Sequence, residues 1–221
     1  MLLTDTIKNS TSAIKTRRAT LESKQHAETY AKALNHLSQV TTSISKTLDC
    51  AVSMKQYGIV DEPLMDDDTK QDLLSCVNDC GNAISERNLA PDTVRLLQSK
   101  GDAISVQIKV IWKDASKKYS DGTRGYLSMI GGLSDNPQKA RVLADSIEKA
   151  VNGEPSIKAI TSLIDDVAEA KKITDSFALN TAIETFLQRV SSQKATVADL
   201  TPEIMVWLKE KNLMNKLRLR F

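Results

Sequence analysis

The stretch from Met1 to Tyr57 contains neither glycine nor proline, and apolar positions recur through its second half at alternating intervals of four and three residues. These positions are Tyr30, Leu34, Leu37, Thr41, Ile44, Leu48 and Ala51. Such spacing places them on one face of an α-helix, and that face must be covered by other helices. The pattern therefore predicts a long helix over residues 4–57 whose second half is packed.

The apolar stripe is thinner in the first half of this helix. Ile7, Ile14 and Leu21 are spaced by seven residues, and most positions between them are polar or basic. A stripe with so few apolar side chains packs weakly within its own chain. We predict that this half projects and that these three residues bind a partner.

Turn and capping residues divide the rest of the chain into shorter helices. Asp66, Asp67 and Asp68 are expected to cap one helix start, and Pro91 lies in the first turn of another. A glycine-rich stretch after residue 120 predicts a corner, and Asp135 or Asn136 is expected to cap the next helix. The predicted helices cover residues 67–87, 91–120, 136–152 and 156–195.

The last of these helices changes phase along its length. Its first apolar set is Ile160, Leu163, Val167, Ala170, Thr174 and Phe177, and the second is Leu179, Ile183, Phe186 and Val190. The second set is displaced by about two positions from the first. The helix therefore either breaks near Thr174–Ser176, with Asp175 or Ser176 capping the restart, or continues and changes its partners.

The chain closes with a helix-start signal and then an alternating tail. Thr201 can cap a helix that has Pro202 in its first turn. After that helix, Leu217, Leu219 and Phe221 alternate with Arg218 and Arg220, which is the period of a β-strand. We predict a short β-like tail that binds a partner by adding a strand to its sheet.

These patterns predict an all-α protein. We expect an elongated antiparallel helical bundle or coiled coil over residues 1–200, built on the two long helices 4–57 and 156–195. Residues 201–221 are predicted to form a capping helix and an extended tail.

Composition narrows the classes of function. The net charge is only +2, from 30 basic and 28 acidic residues, so no global field draws the chain to nucleic acid or to acidic membranes. Aromatic residues make up 4% of the chain, which leaves few side chains for stacking on bases. There is no long apolar run and only three cysteines, which predicts a cytoplasmic protein with no membrane association.

No motif for catalysis, metal or cofactor binding is present. Cys76 and Cys80 lie four residues apart but lack further ligands, and we expect both to be buried in the core. Asp165, Asp166 and Glu169 are interpreted as a solvated face, and residues 122–125 (Gly-Thr-Arg-Gly) as an interhelical loop. Phosphate-binding glycine loops and serine-hydrolase elbows are absent. We predict a protein without enzymatic activity, cofactor, metal or small-molecule substrate.

Two functions remain after these exclusions. The first is a structural or adaptor subunit that assembles with another protein, or with itself, through its helical stripes and its C-terminal tail. The second is an accessory protein that grips nucleic-acid phosphates through local basic patches. Its candidate phosphate-binding residues are Arg17, Arg18, Arg218 and Arg220.

Overall fold

The computed structural model describes the backbone of residues 2–216 and the side chains of residues 14–216. The predicted all-α class is confirmed: the structure is 79% helical, with packed helices and no strand among the described residues. A 3-10 turn at Val197–Asp199 accompanies seven α-helices in this part of the chain. The helices are α1 (Leu2–Gln56), α2 (Asp67–Ser85), α3 (Pro91–Ile130), α4 (Pro137–Asn152), α5 (Ile157–Ser176), α6 (Thr181–Ser191) and α7 (Pro202–Glu210).

Several helix ends are set by the capping residues that the sequence predicts. Asp66 caps α2 by accepting a hydrogen bond from the backbone N–H of Thr69 at 2.6 Å. Asn136 and Thr201 cap α4 and α7 in the same way. Gly58 follows α1 with a φ of +67°, the left-handed conformation in which a glycine ends a helix at little cost.

Helix α3 extends beyond its predicted end at residue 120. It passes through Gly122 and Gly125 to Ile130, so the predicted loop at residues 122–125 is wrong. The buried face of the helix continues through this region with Ser120, Thr123, Leu127 and Ile130. Packing along that face outweighs the cost of about 1 kcal/mol for each helical glycine.

The region predicted as a long or kinked helix over residues 156–195 is two helices. α5 ends at Ser176, and α6 begins at Thr181. The restart is capped by Asn180, whose side chain accepts from the backbone N–H of Ile183 at 3.0 Å, and not by Asp175 or Ser176 as predicted. Ala178 has a φ of +50°, which interrupts the helical path between the two elements.

The chain divides into two compact units. The first comprises Met1–Leu48 and Met65–Gln107, and the second comprises Asp49–Leu64 and Ile108–Phe221. Both α1 and α3 contribute residues to each unit. The predicted organisation into a bundle of residues 1–200 and a capping segment stays a prediction, as does the antiparallel pairing of the two long helices.

The first unit packs α2 and the first part of α3 against α1. Three contacts establish the arrangement: Tyr30 Oη donates to Ile84 O at 3.4 Å, His36 Nε2 lies 3.0 Å from Gln98 Oε1, and Lys100 Nζ lies 2.6 Å from Asp72 Oδ2. The Cys80 thiol lies 4.0 Å from Thr93 O. Because Asp72 faces Lys100 while Cys80 faces Thr93, α2 and α3 run antiparallel.

The buried face of α1 differs from the predicted stripe at every second position. The buried side chains are Ala33, Leu37, Val40, Ile44, Cys50, Ala51 and Met54. Leu37, Ile44 and Ala51 were predicted, but Val40 is buried where Thr41 was expected. Thr41 is exposed, and its hydroxyl donates to Leu37 O at 2.9 Å. A valine gains more from burial than a threonine, whose hydroxyl is satisfied by its own helix.

The second unit holds the larger apolar core. Helices α4 and α5 pack together in it, and the buried face of α5 is the predicted one, from Ile160 to Phe177. A further cluster fixes the C-terminal part: Ile130, Leu133, Phe177, Ile183, Phe186, Leu187, Ala195, Ile204, Trp207, Leu208 and Leu213. Trp207 Nε1 donates to Phe177 O at 2.7 Å within this cluster and so ties α7 to the break after α5.

Candidate interaction surfaces and cavities

The N-terminal part of α1 is a helix whose described side chains are all in water. Every residue from 14 to 29 is exposed, and the first half-buried residue is Tyr30. Ile14 and Leu21 are 66% and 61% exposed, although an apolar side chain gains free energy when it leaves water. We refer to residues 14–29 as the exposed segment. The structure thus leaves both described residues of the thin stripe uncovered within the chain.

The other predicted partner-binding residues fall outside the described part of the chain. They are the side chain of Ile7 and the tail residues Leu217, Leu219 and Phe221. The candidate phosphate-binding residues Arg218 and Arg220 lie in the same tail. The β-like tail therefore stays a prediction.

The exposed segment carries an excess of basic charge. Lys15, Arg17, Arg18 and Lys24 stand against Glu22 and Glu28, and four positive charges less two negative ones leave +2. Arg18 Nε lies 3.6 Å from Glu22 Oε1, and both side chains are largely exposed. An ion pair of this kind adds little stability to a helix, about 0.3 to 0.5 kcal/mol. The candidate phosphate-binding residues Arg17 and Arg18 both face solvent.

Cys76 and Cys80 lie in the core, as predicted, and Cys50 is buried as well. All three cysteines are free. Burial raises the pKa of the Cys50 and Cys80 thiols, which disfavours the reactive thiolate. Within residues 14–216, no three His, Cys, Asp or Glu side chains are grouped so as to hold a metal ion. These thiols behave as small apolar side chains.

Two of the three carboxylates predicted to form a solvated face, Asp166 and Glu169, have specific partners on α4. Ser146 Oγ donates to Asp166 Oδ2 at 2.6 Å. Glu169 accepts hydrogen bonds from Lys139 and Lys172 at 2.5 and 3.0 Å, and these bonds lower the pKa of Glu169. Asp166 and Glu169 therefore join α5 to α4, and the Glu169 contacts remain exposed to solvent, as expected for a solvated face.

Glu184 also has a fixed partner. The phenol of Tyr126 donates to Glu184 Oε1 at 2.8 Å, which joins α3 to α6 and raises the pKa of Tyr126. The hydrogen bond favours the protonated phenol because ionised tyrosine would face a carboxylate. This pair stabilises the second unit as a helix contact.

Cavities open on both units among the described residues, and three of them have volumes between about 150 and 560 Å³. The smallest, of about 150 Å³, lies between α1 and α3 in the first unit beside His36 and Gly101. A second, of about 560 Å³, lies in the second unit between residues 58–62 and the face of α3 that carries Tyr119. The third, of about 390 Å³, lies where the turn before α4 meets the C-terminal end of α5. It is rimmed by Lys139, Lys172 and Lys211.

Nothing in the sequence predicts that the three lysines of the third cavity lie close together. They lie in α4, in α5 and directly after α7, each more than thirty residues from the next in the chain, and no motif connects them. Only the fold brings them together.

Comparison with known proteins gives no further guide: no family model, no curated protein and no solved structure matches this chain.

Proposed function

We propose that this protein is a non-enzymatic assembly subunit that binds a partner protein through the exposed segment of α1. The observation that carries the proposal is the continuous exposure of residues 14–29, with Ile14 and Leu21 on one face of the helix. In this proposal the packed helices of the two units hold the chain folded, and the exposed segment of α1 contacts the partner. Among the described residues, no helix combines the length and the apolarity needed to cross a bilayer.

The exposed segment of α1 would become more stable if a partner protein covered its apolar side chains. A single helix of such length is marginal in water, because most helical stability in proteins comes from packing an apolar face. Burying Ile14 and Leu21 against a partner would contribute on the order of 1 to 2 kcal/mol each, given how much of each side chain is exposed. Binding would therefore stabilise the segment as well as the complex.

The positive charge of the exposed segment favours a partner whose binding surface is acidic. Two copies of the segment paired in parallel would bring excess positive charge against itself, which disfavours association. An amphipathic helix with an apolar stripe flanked by Asp and Glu matches both the spacing of Ile14 and Leu21 and the +2 excess. We propose such an acidic amphipathic helix of a different protein as the partner.

The C-terminal tail is a second proposed contact. Its alternating leucines and arginines suit addition of a strand to the edge of a sheet in a partner. Deletion of residues 217–221 should then weaken capture of that partner without changing helical content or thermal stability. Retention of every partner by the shortened chain would remove the tail from the proposal.

The proposal is tested by affinity capture from source cells with matched variants. Ile14→Asp combined with Leu21→Asp should abolish capture, because an aspartate at either position puts an unpaired charge into the covered face. The control is Val106→Asp combined with Val142→Asp, since these valines are 62% and 55% exposed on other helices. Capture of the same partner by both double variants would refute the proposal.

The second candidate function is binding of nucleic-acid phosphates by the same segment. The exposure of both Arg17 and Arg18 favours it. Phosphate binding weakens steeply as salt rises, because it releases counterions. Arg17→Glu combined with Arg18→Glu should abolish binding to duplex DNA or RNA, whereas Ile14→Asp should not. Loss of nucleic-acid binding in the arginine variant alone, with protein capture intact, would favour this function over the first.

A further inference from the structure

The lysine-rimmed cavity of the second unit combines an apolar floor with a charged rim. The floor is formed by Leu133, Phe177 and Leu213, all buried residues. The cavity volume of about 390 Å³ lies at the lower end of the range for small-molecule sites, roughly 300 to 1,000 Å³. Sites of that kind are largely apolar with a few polar groups that fix the ligand's orientation.

The rim has more positive charge than its carboxylates balance. Lys139 and Lys172 share the single carboxylate of Glu169. Lys211 Nζ donates to a neutral acceptor, Ser176 O, at 2.7 Å. Asp135 also lines the cavity, and its charge is balanced by Lys216, whose Nζ lies 3.3 Å from Asp135 Oδ1. Three positive charges less the one of Glu169 leave an excess of +2 at the mouth.

The three lysines of the rim come from three separate parts of the chain. Lys139 stands in the first turn of α4, whose N-terminal end adds partial positive charge. Lys172 stands near the end of α5, and Lys211 follows α7. Lysines that line one cavity repel one another through their ammonium groups, and an anion among them would offset the repulsion and accept charge-assisted hydrogen bonds.

We propose that this cavity binds a small anion with an apolar group. The phosphate or carboxylate lies among Lys139, Lys172 and Lys211, and the apolar group lies on the floor of Leu133, Phe177 and Leu213. Phosphate and carboxylate share the chemistry that the lysines recognise. The proposal is independent of the exposed segment, which belongs to the other unit.

The ligand class is tested by NMR titration of the whole chain with four probes. Phenyl phosphate and benzoate carry both an anion and a ring, inorganic phosphate carries only the anion, and phenol only the ring. At least one of the two ring anions should shift the amide signals of residues 133–139 and 172–177 at lower concentration than inorganic phosphate or phenol. The stronger of the two identifies the anionic group. If neither ring anion shifts these signals, or if phenol does so equally well, the proposal is overturned.

The site itself is tested by neighbouring lysines on α5. Lys172→Gln should weaken binding of the better probe about tenfold, the loss expected when one charge-assisted hydrogen bond is removed. Its side chain is 76% exposed, so the variant should keep its fold. Lys171→Gln changes the same charge on the adjacent, exposed residue that does not line the cavity, and it should leave binding unchanged. Equal effects of the two variants would overturn the proposal.

Removing the carboxylate of Glu169 should raise the affinity for the probe, whereas Lys172→Gln should lower it. Glu169→Gln takes away the carboxylate that competes with the ligand for Lys139 and Lys172. Affinity for the better probe should rise severalfold, although the helix contact itself is weakened. A fall in affinity for the Glu169→Gln variant, with its melting curve still cooperative, would contradict the assignment of these lysines to ligand binding.

Discussion

Ile44 occupies the space that a side chain on Gly101 would need. A Cβ placed on Gly101 would come within 2.5 Å of Ile44 Cγ1 and 2.8 Å of Ile44 Cδ1. The glycine thus allows α1 and α3 to approach closely in the first unit. Gly101 lies on the buried face of α3 between Leu97 and Ile104, at a position where a glycine otherwise costs the helix about 1 kcal/mol.

Gly101→Ala should therefore destabilise the protein. The gain of about 1 kcal/mol in helix propensity is outweighed by overpacking, which typically costs about 1 to 3 kcal/mol. The measurement is the free energy of unfolding by urea. Gly81→Ala on α2 is the matched control, since nothing lies within 4 Å of the added Cβ. That substitution should stabilise the protein.

The sign of the Gly101 effect should reverse when Ile44 is shortened. Ile44→Ala removes Cγ1 and Cδ1, so the new methyl group at residue 101 has room. In that background Gly101→Ala should raise the free energy of unfolding relative to Ile44→Ala alone. A destabilising effect of the same size in both backgrounds would show that the contact with Ile44 is not the cause.

Alanine at Gly122 or Gly125 should stabilise α3. Both glycines lie inside the helix, and an added Cβ at either position meets nothing within 4 Å. Each substitution should add up to about 1 kcal/mol to the free energy of unfolding, because glycine is the weaker helix former. A loss of stability at both positions would indicate that α3 ends earlier and that these residues form a turn.

The two tryptophans should respond differently to replacement by phenylalanine. Trp207 Nε1 donates a buried hydrogen bond to Phe177 O, whereas the buried Trp112 Nε1 has no hydrogen-bond partner. Both substitutions remove a similar volume, but only Trp207→Phe leaves a carbonyl oxygen unpaired. It should cost about 1 to 2 kcal/mol more than Trp112→Phe. Chemical denaturation of the two variants measures this difference, and a larger loss for Trp112→Phe would contradict it.

Acid should remove the contribution of Glu169 to stability. Hydrogen bonds from Lys139 and then from Lys172 hold the pKa of Glu169 below its usual value of 4.5. A carboxylate whose pKa is lower in the folded state stabilises that state above its unfolded-state pKa. The contribution is lost as the pH falls through the folded-state pKa.

Melting curves of the wild-type chain and of Glu169→Gln across this range test the assignment. The difference in melting temperature should be largest near neutral pH and should shrink as the pH falls below 4.5. Lys171→Gln serves as the control for a nearby change of charge without this pairing. A difference that stays constant down to strongly acidic pH would exclude the carboxylate as its source.

The sequence predicts the helices better than their contacts. The buried face of α5 is predicted in full, because its six positions from Ile160 to Phe177 keep one alternating spacing of three and four residues. In α1, by contrast, Thr41 and Val40 both fit the spacing, and only packing against the other helices selects the valine. In α3, two glycines indicate a turn, but burial of Leu127 and Ile130 on the face that also carries Thr123 keeps the helix intact.

Of the two candidate sites, the exposed segment is predicted from the sequence and the lysine-rimmed cavity is not. Exposure of Ile14 and Leu21 is predicted from local pattern, because a stripe of one apolar residue in seven cannot support a core contact. The cavity rimmed by Lys139, Lys172 and Lys211 is not predicted, since each lysine alone is indistinguishable from an ordinary surface residue. Convergence of distant side chains depends on how α4, α5 and α7 pack, and no short-range pattern encodes it.

Amide hydrogen exchange in residues 14–29 tests directly whether the exposed segment binds the partner, with the purified chain measured alone and in complex with the captured partner. Alone, these amides should exchange far faster than those of residues 37–54, because an uncovered helix opens locally. In the complex, the amides of residues 14–29 should be strongly protected from exchange. Unchanged exchange there, with protection appearing elsewhere, would contradict the claim that this segment is the binding surface.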